Sequence, residues 1–202
     1  MLLRKDPVLA AVIRAHGPCG LADAQRADHF SALARAITFQ QLSTKAASTI
    51  YGRLVALMPG GSPTPEALVA LTDEQLRAAG ISRQKGVYLR DLCAKVLSGA
   101  LDLNRLDAMP DDEVIAALVQ VKGIGRWSAE MFLMFRLHRP DVLPVDDLGI
   151  VNAIRKVYGL RKKPTADRIR RIGDAWRPYR SVASWYLWRT LDNLPIERPK
   201  RR

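Results

Sequence analysis

Two adjacent carboxylates, Asp146 and Asp147, open a predicted helix directly after the extended segment VLPV. Acidic side chains at a helix start cap it and suit its N-terminal dipole, so such a pair needs no further function. The apolar stripe of this helix is formed by Ile150, Val151 and Ile154, and Asp147 falls on its inward edge. We therefore expect a structural role for Asp146, and Asp147 is the candidate for chemistry.

A Gly-Ile-Gly turn joins two predicted helices in the segment LVQVKGIGRWSAEMFLMF, Leu118 to Phe135. Gly123 and Gly125 can adopt backbone angles forbidden to other residues, and they leave the backbone bare. The next helix begins at once beside Arg126, and its unpaired N–H groups form an anion site for one phosphate. Taken alone, such a turn is more often only a tight helix connection.

The charge of the chain favours the phosphate interpretation. The sequence has 32 Lys and Arg against 20 Asp and Glu, a net charge of +12. Thirteen basic and four acidic residues lie between Leu160 and Arg202. This excess indicates a nucleic-acid partner, although a solvated basic face is the alternative. No apolar run is long enough to cross a membrane and no signal peptide is evident, so we expect a cytoplasmic protein.

The elements that must position these groups are predicted to be helices throughout. Start and stop signals recur along the chain: Asp6-Pro7, Gly17, Asp28, Ser43, Thr72 with Gln75, Gly80, Ser82 and Pro110. The VLPV segment contains Pro144 and is predicted to be an extended connector. Cys19 and Cys93 fit no metal or disulfide pattern. The sequence predicts an all-α protein of about ten helices, with only the terminal RPKRR segment loose.

Five segments, in order along the chain, resemble the helix–hairpin–helix DNA glycosylase superfamily, and in particular its DNA-3-methyladenine glycosylase II branch. They are AITFQQLSTKAA, GISRQKGVYLRDL, LVQVKGIGRWSAEMF, VLPVDDLGIVNAI and WRPYRSVASWYLWR. The resemblance implies one compact unit over residues 1–202 with an active-site cleft between two helical lobes. One lobe would span residues 31–144, with the helix–hairpin–helix at roughly 113–139, and the other residues 1–30 plus 145–202.

The family pattern implies roles for particular residues. Its catalytic Asp corresponds to Asp147. The base pocket would be lined by Trp127, Met131, Leu148, Trp188 and Phe39. DNA contacts would come from Gln40, Gln41, Leu42, Gly123, Gly125, Arg126 and Ser128. Within the turn after Phe39, either Gln41 or Leu42 would wedge into the duplex, unless this turn is an ordinary helix end.

This chain departs from relatives in several positions. Trp127 stands where strand-cleaving relatives carry a lysine, and the cluster-binding cysteines of another branch are absent. Phe39 replaces a small residue, and Met131 and Leu148 replace aromatic ones, which leaves the range of lesions open. No cofactor is required, although backbone carbonyls of Val119, Val121 and Ile124 could hold a Na⁺ or K⁺ ion.

The resemblance implies a monofunctional glycosylase, monomeric and associated with the bacterial nucleoid, that flips alkylated bases from double-stranded DNA. The expected lesions are 3-methyladenine and 7-methylguanine, whose cationic rings leave easily and bind electron-rich aromatic faces. Three alternatives remain: a non-catalytic DNA-binding module, a bifunctional glycosylase/lyase using another lysine such as Lys122, and an all-α interaction protein. The first alternative explains the charge and the hairpin but not the combination of Asp147, Trp127 and Trp188.

Overall fold

The computed structural model describes residues 2–21 and 28–191, and regular structure within them is entirely helical. The terminal RPKRR segment lies outside these residues. The α-helices are α1 (Leu2–Lys5), α2 (Pro7–His16), α3 (His29–Phe39), α4 (Thr44–Ala56), α5 (Pro65–Val69), α6 (Asp73–Ala79), α7 (Arg83–Leu97), α8 (Asp111–Leu118), α9 (Arg126–Phe135), α10 (Leu148–Val157), α11 (Ala166–Gly173) and α12 (Arg180–Arg189). Short 3₁₀ turns span Pro59–Gly61, Leu103–Arg105 and Asp174–Trp176. The all-α prediction is confirmed, and VLPV is a buried non-helical connector.

The helix starts follow the side chains expected from the sequence. Asp6, Asp28, Ser43, Thr72 and Ser82 each accept a hydrogen bond from a backbone N–H in the first turn that follows. A reciprocal capping box joins the Thr72 and Gln75 backbones and side chains, and Gly80 ends α6 at a left-handed φ of 96°. Pro110, one of the start signals in the sequence, is the N-cap of α8, and the acidic residues Asp111 to Glu113 form its first turn.

The chain divides into two compact units. One consists of Met1–Ala22 with Pro140–Arg202, and the other of Asp23–Arg139. The second unit begins and ends earlier in the chain than the lobe expected at residues 31–144. Among the described residues, no helix combines the length and apolar character needed to cross a membrane.

The unit formed by the two chain ends is organised around a buried carboxylate. Asp6 caps α2 and accepts hydrogen bonds from Trp176 Nε1, at 2.8 Å, and from the Tyr158 hydroxyl. Burial alone would raise the pKa of Asp6, but the hydrogen bonds from Tyr158, Trp176 and the backbone outweigh burial and lower it. Around this group, α2 and α10 both pack against α12, burying residues such as Ile150 and Leu187. This packing fixes the start of α10 and the end of α12.

The unit formed by the middle of the chain is built around α3. This helix packs against α4, α7 and α9, and it buries Leu33 and Ile37 completely. Helices α8 and α9 pack against each other and form the expected helix–hairpin–helix, with Leu118 and Leu133 buried. Helix α9 therefore contacts both α3 and the other hairpin helix, α8.

Candidate active site

Asp147 is the N-cap of α10. Its Oδ1 atom accepts a hydrogen bond from the Ile150 backbone N–H at 2.7 Å and another from Trp188 Nε1 at 2.8 Å. Two donors on one oxygen fix the carboxylate rotamer, as a preorganised catalytic group requires. Asp147 is half-buried whereas Asp146 is exposed and lies before the helix. Of the two adjacent acids expected at this helix start, Asp147 is the capping side chain, and Asp146 lies before the helix.

Gly149 makes the contact between Asp147 and Trp188 possible. A Cβ atom on Gly149 would lie 2.8 Å from Trp188 Cδ1 and 2.9 Å from Asp147 Oδ1. Both distances are shorter than van der Waals contact, so a larger residue would displace the indole or the carboxylate. Leu148, expected in the base pocket, is 68% exposed beside this pair.

The two hairpin glycines serve different purposes. Gly123 has a φ of +82°, and a Cβ atom there would lie 2.1 Å from Tyr88 Cδ2. Gly125 has a φ of −94° and a ψ of 176°, which any residue can adopt, so the expected special backbone angle is wrong for this position. A Cβ atom on Gly125 would meet no protein atom within 4 Å. Gly125 thus leaves open space before the first N–H groups of α9.

Charged side chains surround the hairpin in a fixed arrangement. Arg126 Nε donates to Oε1 of the buried Glu130 at 3.0 Å, which orients the guanidinium beside the start of α9. The Asp91 carboxylate accepts the backbone N–H of Lys122 at 2.9 Å, and its other oxygen lies 3.9 Å from Lys122 Nζ. The Asp91 contact holds the hairpin backbone at Lys122, and the Arg126–Glu130 pair orients a cation beside the hairpin.

A concave pocket of about 570 Å³, within the usual range for ligand sites, lies between α3 and α9. Its lining consists of Ala36, Phe39, Gln40, Gln41, Leu42, Trp127, Ser128 and Met131. Seven of these eight residues were predicted from the sequence to touch DNA or the base, and Ala36 was not. Trp127 is 48% exposed, so much of its indole surface is accessible to a ligand. Asp147, Leu148 and Trp188 belong to the unit formed by the chain ends.

Arg35 and Tyr51 both contact the Phe39 ring. The Arg35 guanidinium carbon lies 3.8 Å from the centre of the Phe39 ring. The Tyr51 ring approaches edge-on, with 6.3 Å between the two ring centres. A stacked cation draws electron density from an aromatic face. The bulky residue at this position therefore lines the pocket with a ring that is already engaged by a positive charge.

The Gln40–Leu42 segment forms a tight turn after α3. Gln41 has a φ of +56°, a left-handed conformation that is uncommon for a residue other than glycine. The Gln40 side chain donates to the Gly123 carbonyl at 2.8 Å, which ties this turn to the hairpin. Lys85 Nζ donates to the Thr38 and Gln40 carbonyls at 2.7 and 2.8 Å.

Four site residues escaped the sequence analysis: Gly149, Lys85, Glu130 and Ala36. The signal for Glu130 was available, since it follows Arg126 by four residues on one helix face. Lys85 bonds to carbonyls 45 and 47 positions earlier, and Gly149 lies against Trp188, 39 positions later, so no local pattern points to these contacts. Of the three carbonyls expected to hold a monovalent ion, that of Val121 accepts the Ile124 N–H at 3.0 Å.

Known proteins resemble this chain over most of its length. Residues 34–178 match the family described as HhH-GPD superfamily base excision DNA repair protein. DNA-3-methyladenine glycosylase 1 of Schizosaccharomyces pombe is 36% identical over 179 residues, covering 88% of this chain and 78% of that protein.

Two solved structures have the same fold. The Schizosaccharomyces pombe 3-methyladenine DNA glycosylase in complex with abasic DNA has a TM-score of 0.80 at 34% identity, covering 92% of this chain and 91% of that one. The DNA-3-methyladenine glycosidase of Bacillus halodurans has a TM-score of 0.84 at 39% identity, covering 95% and 88%. The resemblance expected from the five sequence segments is confirmed, and the chain belongs to the HhH-GPD superfamily of base excision DNA repair proteins.

Proposed function

We propose that this protein is a monofunctional DNA glycosylase that flips alkylated bases out of double-stranded DNA and hydrolyses their N-glycosidic bonds in base excision repair. The observation that carries the proposal is the position of Asp147, held by two N–H donors at the start of the helix that follows the hairpin. Relatives named as 3-methyladenine glycosylases support N-methylated bases, such as 3-methyladenine and 7-methylguanine, as substrates.

The chemistry needs one carboxylate. As the bond between C1′ and the base nitrogen breaks, positive charge develops on the sugar, and Asp147 stabilises that charge. The carboxylate also orients the attacking water, whose hydroxyl adds to C1′ while its remaining proton is released. A cationic methylated base leaves with the bonding electrons as a neutral molecule. It therefore needs no strong general acid.

The base would be recognised by aromatic and apolar side chains. Trp127, with Phe39 and Met131, lines the pocket of the middle unit, and its exposed ring suits a flat cationic base. Leu148 follows Asp147 in sequence, and the Trp188 indole bonds to the Asp147 carboxylate. We propose that both residues contact the base, with Trp188 also holding the carboxylate.

The hairpin would bind the DNA backbone. The N–H groups at the start of α9 follow Gly125, beside which the space is open, and Arg126 and Ser128 lie in the same first turn. We propose that Gln41 or Leu42 enters the duplex in place of the flipped nucleotide. A Na⁺ or K⁺ ion on the carbonyls of Val119, Val121 and Ile124 would draw a backbone phosphate toward the hairpin.

Strand cleavage through a Schiff base is not expected. By the family resemblance, Trp127 stands at the position where strand-cleaving relatives carry a lysine. Lys122, the alternative nucleophile, lies 3.9 Å from an Asp91 carboxylate oxygen. The lyase is therefore not favoured, and the two donors that hold Asp147 argue against a non-catalytic binding module. We propose that the protein works as a monomer in the bacterial cytoplasm, on nucleoid DNA.

The test is release of free base from duplex DNA treated with a methylating agent, measured by chromatography. The proposal predicts release of methylated purines, an intact strand at each abasic product and no trapped adduct with borohydride. Tight DNA binding without base release would favour the non-catalytic module. A borohydride-trapped covalent complex that disappears in Lys122→Met would favour the lyase.

A further inference from the structure

Lys85 makes contacts that the proposed chemistry does not use. Its ammonium group donates to the Thr38 carbonyl at 2.7 Å and to the Gln40 carbonyl at 2.8 Å. These carbonyls lie at the end of α3, where backbone oxygens have no partner within the helix. A lysine at this position satisfies them and also suits the negative end of the helix dipole.

The segment held by Lys85 is strained. Gln41 follows directly, with a φ of +56°, and the Leu42 N–H closes the turn on the Phe39 carbonyl at 3.4 Å. A residue other than glycine keeps a left-handed conformation only where its surroundings impose it, and such positions cluster at functional sites. Lys85 bonds to the carbonyls of Thr38 and Gln40, so it restrains the chain immediately before Gln41.

Helix α7 also supports the hairpin. Tyr88 lies three residues after Lys85, on the same helix face, and its ring lies against Gly123. The Gln40 side chain closes the connection by donating to the Gly123 carbonyl at 2.8 Å. One face of α7 thus holds both segments that were predicted to contact DNA, the Gln40–Leu42 turn and the hairpin.

We infer that Lys85 is a positioning residue for DNA distortion, which holds the Gln40–Leu42 turn in the conformation that enters the duplex. This inference rests on the proposed function, because it assigns that turn to the gap left by a flipped nucleotide. Lys85 touches neither the base nor the sugar in this account. Its loss should therefore impair insertion into the base stack, while the hairpin continues to bind undamaged DNA.

The experiment measures insertion without chemistry. A duplex carries the fluorescent base 2-aminopurine next to an abasic-site analogue, and its fluorescence rises when the neighbouring stack is opened. Wild type, Lys85→Met and the charge-matched control Arg53→Met, at an exposed position of α4, are compared at saturating protein. Binding to undamaged duplex and the thermal midpoint are measured in parallel.

The inference predicts that Lys85→Met loses most of the fluorescence rise but binds undamaged duplex within about three-fold of wild type, since the phosphate contacts of the hairpin remain. Excision of a paired lesion should slow roughly 10- to 100-fold, as expected for a displaced positioning group. The loss should shrink when the lesion lies opposite an abasic site, where flipping costs less. Arg53→Met should behave as wild type.

A full fluorescence rise in Lys85→Met, or none in wild type, would overturn the inference. If the Met variant does not fold, Lys85→Gln, whose neutral amide keeps an NH2 donor, is judged by the same two outcomes. Wild type that opens the stack but releases no methylated base would contradict the proposed function alone. The two ideas therefore fail separately.

Discussion

Trp188 Nε1 donates a hydrogen bond to Asp147 Oδ1 at 2.8 Å, across 41 positions of sequence. The same oxygen accepts the Ile150 N–H, so the carboxylate is held by its own helix and by α12 together. The Asp147 side chain is therefore both a helix cap and the candidate catalytic group. Its orientation depends on how closely α12 approaches α10 at Gly149.

Gly149→Ala tests that dependence. The added methyl group would lie 2.8 Å from Trp188 Cδ1 and 2.9 Å from Asp147 Oδ1, and one of the two must move. We expect the single-turnover rate of base release to fall roughly 10- to 100-fold, with DNA affinity little changed. Gly52→Ala, whose methyl group meets no protein atom within 4 Å, is the matched control. An unchanged rate in Gly149→Ala would show that this contact does not govern the carboxylate.

The hairpin glycines form a second matched pair. Gly123→Ala forces a left-handed angle on alanine and a clash with Tyr88, so we expect it to lower both the thermal midpoint and DNA affinity. Gly125→Ala meets no protein atom, and it should lower DNA affinity while leaving stability within about 0.5 kcal/mol of wild type. Fluorescence anisotropy and thermal unfolding measure the two effects. DNA affinity that survives Gly125→Ala would rule out close backbone approach at this position.

Stability should depend on pH through Asp6. Its pKa is lowered in the folded protein, because hydrogen bonds from Tyr158, Trp176 and the backbone outweigh burial. The stability that it contributes is therefore present above the unfolded pKa of about 3.9 and is lost as the pH falls through the folded pKa. Asp6→Asn should unfold about 2 kcal/mol more easily near neutral pH, and this difference should shrink below about pH 4. Urea unfolding at several pH values checks the prediction, which a pH-independent difference would contradict.

The Arg35–Phe39 contact should influence which lesions are removed. The guanidinium lies 3.8 Å from the ring centre and makes that ring less attractive to a cationic base. We expect Arg35→Gln to raise kcat/KM for 7-methylguanine roughly two- to five-fold relative to a neutral lesion such as ethenoadenine, in line with the strength of a cation–π contact. Competition between the two substrates in one reaction measures the ratio. Equal changes for both lesions would mean that the Arg35 charge over the Phe39 ring does not affect which base is removed.

Local patterns predicted much of the fold. Caps such as Asp28 and Thr72 satisfy nearby N–H groups, so their spacing alone identifies helix starts. The Gly-Ile-Gly hairpin was also evident locally, because its glycines stand directly between two helical segments. Arg35 and Phe39 are four residues apart on one helix, and this spacing could have indicated their contact.

Long-range contacts could not be predicted in this way. Lys85 binds carbonyls 45 and 47 positions earlier. Asp6 accepts from Tyr158 and Trp176, which lie 152 and 170 positions later. Such pairs depend on which helices pack together, and periodicity shows only that a helix has a buried face. The same limit explains why the closely packed Gly149 was not singled out.

The most direct test of the central claim compares Asp147→Asn with Asp146→Asn in single-turnover release of methylated purines. Asparagine keeps an oxygen that can accept the N–H groups of Ile150 and Trp188, but it removes the negative charge. Asp147→Asn should bind DNA normally and release base roughly 10²- to 10⁴-fold more slowly, the usual effect of removing such a group. Asp146→Asn, at the exposed neighbour, should act like wild type. Undiminished release by Asp147→Asn would contradict the account and place the chemistry on another carboxylate.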